Sequence, residues 1–473
     1  MSKPNIVFVL ADDMGFGDAR CYDPEFSKIP TPNIDRLSRE GMRFTDAHTA
    51  SSLCSPSRYG LLTGRYAWRT TLQSGVLRPY DPPLIAEDRL TLPGFLRQNG
   101  YRTACVGKWH LGWDWPKRDG EVVFDEDVEG GPATRGFDWY FGTDVPNYSP
   151  YAFIENNRVQ GLPTVHVGKD PMLVLNHPGP GLEGWQFDRI LPTIAEKAVE
   201  YIHDRKEEPD PFFLFFPLTT PHEPIAPFER FRGKSGISGV GDLIMETDWA
   251  LGEVMSALEE SGLSEDTLLI FTTDNGHCFY TGVEPFEEAG HRVSGPFRGY
   301  KADIWEGGHR VPFVVRWPNH IAPDTNNSHT ICLTDLLATC ADLLGEELPD
   351  DAGEDSMSIL SLLKGEDIPV RSTSIFHSGG GFFAVYEGPW KLALCRGSGG
   401  RFRPEEISED APDVQLYNLK DDPSEQRNLA EENQAVVDRL VNYLEQAVAS
   451  GRTTTGAEQE NDALIDVLKP ERN

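Results

Sequence analysis

Four residues with hard oxygen side chains fall at two distant points of the chain, Asp12-Asp13 and Asp274-Asn275. Carboxylates and an amide, with no His or Cys among them, suit Ca²⁺ or Mg²⁺ rather than Zn²⁺. A single such pair more often starts a turn or caps a helix. Two pairs, each directly after an apolar run, favour one shared divalent ion. The stretch with the most chemical content is Cys54-Ser55-Pro56-Ser57-Arg58, continued by Tyr59-Gly60-Leu61-Leu62-Thr63-Gly64-Arg65. Pro56 suits the first position of a helix with Ser55 as its cap. Cys54 then lies just before a helix N-terminus, where aligned peptide dipoles favour negative charge. Arg58, four residues on, can return to the same side. A cysteine so placed is a buried structural thiol or a thiolate nucleophile, and spacing alone leaves both open.

Further residues gather around these. His222 sits in Pro221-His222-Glu223-Pro224, a poor setting for a core histidine, so function is favoured. Lys108 and His110 are two apart, and an extended backbone would point both to one face. Trp109 between them reads as packing, and His277, His291 and His309 as structural or substrate-lining. Trp113, Trp139, Tyr140, Tyr148 and Tyr151 read mostly as loop packing, with a platform for a sugar ring as the functional alternative.

These side chains need a frame, and the apolar runs supply one. Ile6 to Leu10 leads into Asp12-Asp13, Tyr101 to Val106 into Lys108, Phe212 to Leu218 into His222, and Thr267 to Phe271 into Asp274. Continuous Val, Ile, Leu and Phe runs mark strands covered on both faces. Helical spacing precedes two of them, in Ala195, Ala198, Val199, Ile202 and in Leu243, Thr247, Leu251, Val254, Leu258. The alternation predicts an α/β fold, a mostly parallel mixed sheet flanked by helices. Ligands bind such sheets beyond the carboxyl ends of the strands, so all four polar clusters would share one edge. Residues 113–185 read as long loops shaping substrate access. After about Val370 short strands and an amphipathic helix (Val437, Leu440, Val441, Leu444, Val448) predict a smaller α+β domain with an antiparallel sheet. The expected division is 1–370 and 371–473, with a loosely held tail from about Thr453.

Of 473 residues, 43 are Lys or Arg and 75 Asp or Glu, a formal net charge of −32. That charge argues against nucleic acid and against an anionic membrane surface. The longest apolar stretch, Pro211 to Leu218, is far below the roughly 18 residues of a membrane helix. Only Met1 to Asn5 precede the first strand, so the chain as printed is expected to be cytoplasmic, or periplasmic or secreted with its signal already trimmed. An anionic substrate would need a local cluster of cations. The seven cysteines do not make a disulfide framework. Cys332 and Cys340, read within one helix, would stand about 12 Å apart, too far to bond.

Taken together, Cys-x-Pro-Ser-Arg-x-x-x-Leu-Thr-Gly-Arg from Cys54 to Arg65 resembles the signature of the type I, formylglycine-dependent sulfatase family of the alkaline phosphatase superfamily. Asp12-Asp13, Gly107-Lys108-Trp109-His110-Leu111-Gly112, Pro221-His222, Asp274-Asn275-Gly276 and Lys301 follow in the family's order, and Gln415-Leu416-Tyr417-Asn418-Leu419 with Asp422-Pro423 resembles its C-terminal domain. The resemblance implies oxidation of Cys54 to formylglycine by a sulfatase-maturing enzyme. It implies one divalent ion, Ca²⁺ before Mg²⁺, held by Asp12, Asp13, Asp274, Asn275 and residue 54. One hydroxyl of the hydrated aldehyde would attack sulfur, and the other would lose its proton so that sulfate leaves. Arg58 would orient residue 54, Lys108 and Lys301 would bind sulfate oxygens, His110 would take the second proton, and His222 would protonate the leaving alcohol. The implied activity is a sulfatase, on a sulfated glycan in preference to a small aryl sulfate. The rivals are a phosphonate monoester or phosphodiester hydrolase of the same superfamily, and an inactive relative that only binds sulfated glycans.

Overall fold

The computed structural model describes residues 3–170, 176–400 and 411–468. Its main sheet has ten strands, and the central five run parallel. Across the sheet these five are Thr267–Thr273, Asn5–Asp12, Phe212–Pro221, Arg102–Lys108 and Trp139–Thr143. Antiparallel additions lie on both sides: Phe313–Arg316 pairs with Thr267–Thr273, and Ile154–Glu155 pairs with Trp139–Thr143. The predicted mixed α/β sheet is therefore present.

Alternation along each strand divides the core into two layers. Ile6, Phe8 and Leu10 face one way with Phe213, Phe215 and Ile270; there they meet Tyr59, Leu61 and Leu62 of the helix Cys54–Thr63. Val7, Val9 and Ala11 face the other way with Leu214, Phe216 and Phe271, against the helices Ile190–Asp204 and Gly239–Glu260. Period-two alternation with both faces covered explains why these strands read as unbroken apolar runs. Each fully buried large side chain contributes roughly 1.5–3 kcal/mol. Three neighbouring strands also approach unusually closely: a Cβ at Gly107 would meet the carbonyl oxygen of Pro217 at 1.8 Å, and one at Gly142 that of Gly107 at 1.8 Å.

The stretch 113–185 is more ordered than expected. It supplies the main-sheet strand Trp139–Thr143 and the small pairs Ile154–Glu155 with Arg158–Val159 and Val165–Val167 with Gly179–Gly181. These segments are too short and too rich in Gly and Pro to show periodicity.

The C-terminal part carries an antiparallel sheet of four strands, Ser374–His377, Phe383–Glu387, Trp390–Ala393 and Gln415–Asn418. The helix Gln434–Ala449 packs on it through Val437, Leu440 and Leu444. Tyr66 and Trp68, from the region just after the Cys54 helix, complete that core. Lys391 is fully buried between Glu306 and Glu425, at 2.9 Å from each, and fastens the small sheet to the main body. Within the described residues the tail is held rather than loose: Asp462 takes two bonds from Arg65 and gives its N–H to the Arg69 carbonyl. Cys332 precedes its helix in a short strand while Cys340 lies within Leu336–Leu344, and all seven cysteines are free thiols. Among the described residues no helix is long and apolar enough to cross a membrane.

Candidate active site

Parallel strands end on one edge, and this brings the sequence clusters together. Asp12 closes the first strand, Lys108 closes Arg102–Lys108, His222 follows Phe212–Pro221, and Asp274 follows Thr267–Thr273. Register fixes the match, with Asp12 beside Pro221 and Ala11 beside Thr273. Asp13 turns off the strand at φ 72°, and its N–H donates to Asp274 Oδ1 at 3.2 Å.

Cys54 reaches this edge from the helix Cys54–Thr63, all ten residues of which are buried. The helix starts two residues earlier than expected. Leu53 is the extended N-cap residue, so Cys54 is the first helical residue and Pro56 the third. Ser55 is not the cap; its hydroxyl accepts the N–H of Leu77 at 3.2 Å. The Cys54 Sγ stands 3.8 Å from Asp13 Oδ1. Burial, followed by the Asp274 carboxylate, pushes the thiol well above its ordinary value, which disfavours a plain thiolate nucleophile.

Each carboxylate of the edge has a cation. Lys108 Nζ lies 2.7 Å from Asp12 Oδ2, and Lys301 Nζ 2.6 Å from Asp13 Oδ2. Arg58 donates from Nε at 3.0 Å and Nη2 at 2.8 Å to Asp274 Oδ2, and from Nη1 at 2.9 Å to the Lys108 carbonyl. Lys301, on a loop, is positioned by two backbone bonds: its own N–H reaches the His277 carbonyl and that of Ala302 reaches the Ser52 carbonyl. Burial and the neighbouring Asp12 push the Asp274 carboxyl up to about 7 in the metal-free protein, against the opposing Arg58.

The residues fit a divalent ion. Asp12 Oδ1 and Asn275 Oδ1 are buried oxygens without hydrogen-bond partners among the described residues. Ligand atoms of Asp12, Asp13, Cys54 and Asp274 all lie within 4.8 Å of one another. A set dominated by hard oxygens matches Ca²⁺ or Mg²⁺ chemistry. Orphaned acceptors around a shared point are what such an ion satisfies.

The two histidines differ in what they offer. His110 has φ 56°, so the backbone there is left-handed rather than extended, and Lys108 and His110 do not share a face by strand geometry. His110 Nε2 is 3.0 Å from the Leu77 carbonyl, which can only accept, so Nε2 carries the proton. Its Nδ1 is a buried acceptor with no hydrogen-bond partner among the described residues. Burial, with Lys108 and Arg58 nearby, holds this imidazole well below its ordinary pKa and therefore neutral. His222 donates from Nδ1 to the Glu223 carbonyl at 2.7 Å, leaving Nε2 as its functional end, 3.9 Å from Asp13 Oδ2.

A cavity of about 630 Å³ opens above these groups, bordered by Cys54, His110, His222 and Lys301. Lys108, Arg58 and the aspartates lie beneath its lining, wholly enclosed. Other walls come from Arg78, Asn147, Tyr148, His177, Glu223 and Tyr280. Tyr148 and His177 stack with ring centroids 4.0 Å apart and planes 7° from parallel. Of the five aromatics proposed as a platform only Tyr148 reaches the cavity. Trp113, Tyr140 and Tyr151 are buried packing, and Trp139 stacks on Tyr201. His177, Tyr280 and Arg78 gave no signal in the sequence, because loops from three distant places meet here. Glu223 was visible only as a neighbour of His222. Trp109 is packing, with Nε1 donating to the Gly112 carbonyl. His277 and His291 both bind Asp18, at 2.8 Å, and His309 packs with His48 and Lys391; all three are structural.

A family model described as Sulfatase matches residues 4–346, and one described as N-sulphoglucosamine sulphohydrolase, C-terminal, matches 300–451. The chain belongs to the sulfatase family. This sulfatase is 35% identical to an N-acetylgalactosamine-6-O-sulfatase of Bacteroides thetaiotaomicron, over 94% of this chain and 93% of that protein. It is 32% identical to human arylsulfatase A, over 90% of this chain and 83% of that protein. A solved structure from work on glycosaminoglycan metabolism in Bacteroides thetaiotaomicron superposes with a TM-score of 0.84, at 32% identity, covering 94% of this chain and 99% of that one. A sulfatase from Pseudoalteromonas sp. superposes with a TM-score of 0.75 at 25% identity, covering 94% and 90%. The sulfatase is accordingly a sulfuric ester hydrolase.

Proposed function

We propose that this sulfatase hydrolyses a sulfate ester on a glycan, a 6-O-sulfated N-acetylgalactosamine being the first substrate to test, through formylglycine made from Cys54. The observation that carries the reading is the position of Cys54, at the border of a 630 Å³ cavity and beside an acidic set with unpartnered oxygens. The cavity is of the size that takes a small ligand, ~300–1,000 Å³. The 6-O-sulfatase related to it over almost its whole length supports the sugar class.

Asp12, Asp13, Asp274, Asn275 and residue 54 would hold one divalent ion, with Ca²⁺ preferred because its oxygen-rich coordination tolerates irregular geometry. When bound, the ion and the aldehyde-derived group at position 54 supply an activated oxygen nucleophile at neutral pH. Lys301 binds a sulfate oxygen at the cavity wall, and Lys108 adds positive charge from behind Asp12. Arg58 holds Asp274 and the end of the Lys108 strand in place. His222 delivers a proton from Nε2 to the leaving oxygen, because its Nδ1–H is committed to a backbone carbonyl. His110 takes a proton at its bare Nδ1, kept available by the Leu77 carbonyl on the far side of the ring. A sulfatase-maturing enzyme is required before any of this operates.

The test uses protein whose residue 54 has been verified by peptide mass. Turnover is compared on N-acetylgalactosamine 6-sulfate, 4-nitrophenyl sulfate and a matching aryl phosphate diester. The sugar sulfate is expected to give the highest kcat/KM. Faster cleavage of the diester would replace this reading with a phosphodiesterase.

A further inference from the structure

We propose that Glu223 recognises the alcohol half of the substrate by accepting a hydrogen bond from a ring hydroxyl of the sulfated sugar; this rests on the glycan-sulfatase reading above. Glu223 directly follows His222, and its side chain borders the same cavity as Cys54 while only 4% exposed. Two donors fix its carboxylate. Asn147 Nδ2 at 3.2 Å and Tyr280 OH at 3.0 Å both reach Oε1.

The second oxygen, Oε2, is buried and has no hydrogen-bond partner among the described residues. The nearest candidate is His222 Nδ1 at 3.5 Å. That N–H is aimed at the Glu223 carbonyl oxygen, 2.7 Å away, and one proton does not serve both acceptors well. A buried acceptor held rigidly with one oxygen left over is a place made for a donor from outside.

Chemistry narrows that donor. Sulfate oxygens are acceptors and negatively charged, so Glu223 opposes them. In an anion site of a chain with net charge −32, a further carboxylate weakens binding of the sulfate group. The leaving oxygen draws its proton from His222. What remains is a hydroxyl elsewhere on the leaving alcohol, close to the sulfated carbon because Glu223 adjoins the acid. A sugar carries several such hydroxyls and a simple phenol none. Glu223 therefore selects carbohydrate over aryl esters, by leaving a polar group unpaired when the wrong alcohol is bound.

The experiment measures kcat/KM on N-acetylgalactosamine 6-sulfate and on 4-nitrophenyl sulfate, using protein verified as modified at residue 54. Glu223→Gln keeps the side chain's size, and its sugar-to-aryl ratio is expected to fall about tenfold or more. Tyr280→Phe, which removes one of the bonds holding Oε1, is expected to lower the same ratio to a smaller extent. An equal loss on both substrates would show that Glu223 acts on His222 instead and would overturn the assignment; so would an unchanged ratio. If thermal melts show that Glu223→Gln does not fold, Tyr280→Phe decides, and an unchanged ratio there overturns it. A wild type that cleaves no sulfate ester would sink the sulfatase reading and this assignment with it. That result is distinct from a wild-type sugar preference that survives Glu223→Gln.

Discussion

Replacing Arg58 by lysine separates the geometry of the site from its charge. The guanidinium is 1% exposed and makes two bonds to Asp274 Oδ2, one to the Lys108 carbonyl, and a 3.4 Å approach to Asp12 Oδ1. An alanine there would mix two opposing effects: it relieves repulsion of a bound cation but frees the carboxylate that should hold it. Arg58→Lys retains the charge. A single ammonium can follow Asp274 but cannot also span to the Lys108 carbonyl, so at least one charge-assisted bond is lost, at about 1.5–3 kcal/mol. Since about 1.4 kcal/mol is tenfold in an equilibrium constant, the orientation of Asp274 should weaken by one to two decades. Partners that orient metal ligands typically carry 10–100-fold in metal affinity, which agrees in size. The expected outcome is a Ca²⁺ dissociation constant raised about 10–100-fold, measured by titration calorimetry on chelator-treated protein, with kcat recovered in part at high Ca²⁺. A dissociation constant within threefold of wild type would show that the fork does not organise the acidic set, and the reasoning from hydrogen-bond geometry would fail.

Three other outcomes follow from the same coordinates. Cys54→Ala should abolish turnover with a near-native melting temperature, since only one buried sulfur is removed; activity above background in that variant would refute a nucleophile at position 54. Tyr148→Ala removes the ring stacked on His177 and should raise KM for the sugar sulfate roughly 2–10-fold, the range of an aromatic contact of about 0.5–1.5 kcal/mol, with little change in kcat. Burial pushes the Glu246 carboxyl up to about 8, although it accepts the N–H of Phe228. Its folded value thus lies above its unfolded one, so the native state holds the extra proton and stability falls as pH rises from about 4.5 towards 8. Glu246→Gln should remove that slope, and denaturation at pH 5.5 and pH 8 should show the variant gaining more on wild type at the higher pH.

The main frame was legible because it rests on one-dimensional signals. Runs such as Phe212–Leu218 encode burial on both faces, and the polar residues that end them mark the edge where parallel strands stop. The C-terminal helix was legible through its 3.6-residue stripe. What escaped depends on the meeting of distant loops. Trp139–Thr143 is a central strand only because Arg102–Lys108 lies beside it, with Gly107 and Gly142 allowing the close approach. Ser55 looked like a cap, but tertiary demand from Leu77 claimed its hydroxyl and moved the helix start. His110 looked extended, yet its left-handed backbone turns the ring towards the Leu77 carbonyl. The cavity walls followed no local rule: Tyr148 and His177 are adjacent only because the His177 N–H bonds to the Asn147 carbonyl. Sequence spacing placed the groups on the strand ends, and only the fold placed those that line the cavity.

If Cys54 is oxidised as proposed, its enclosure also sets an order of events in the life of the chain. An enzyme that oxidises this thiol must grip the residues around it, and in the folded protein the whole helix Cys54–Thr63 is buried. The end of that helix is then closed by late-synthesised parts of the chain. Asp355 takes Arg69, the Ala447 carbonyl takes it again, and Asp462, 397 positions after Arg65, takes Arg65. The proposed modification would therefore have a window, open while the nascent chain ends short of Asp355 and shut once Asp355, Ala447 and Asp462 dock. On the proposed reading, a molecule that folded before oxidation would keep a buried thiol that an enzyme could approach only through the cavity. The fraction of active protein would then follow from a race between folding and oxidation, not from the stability of the finished fold.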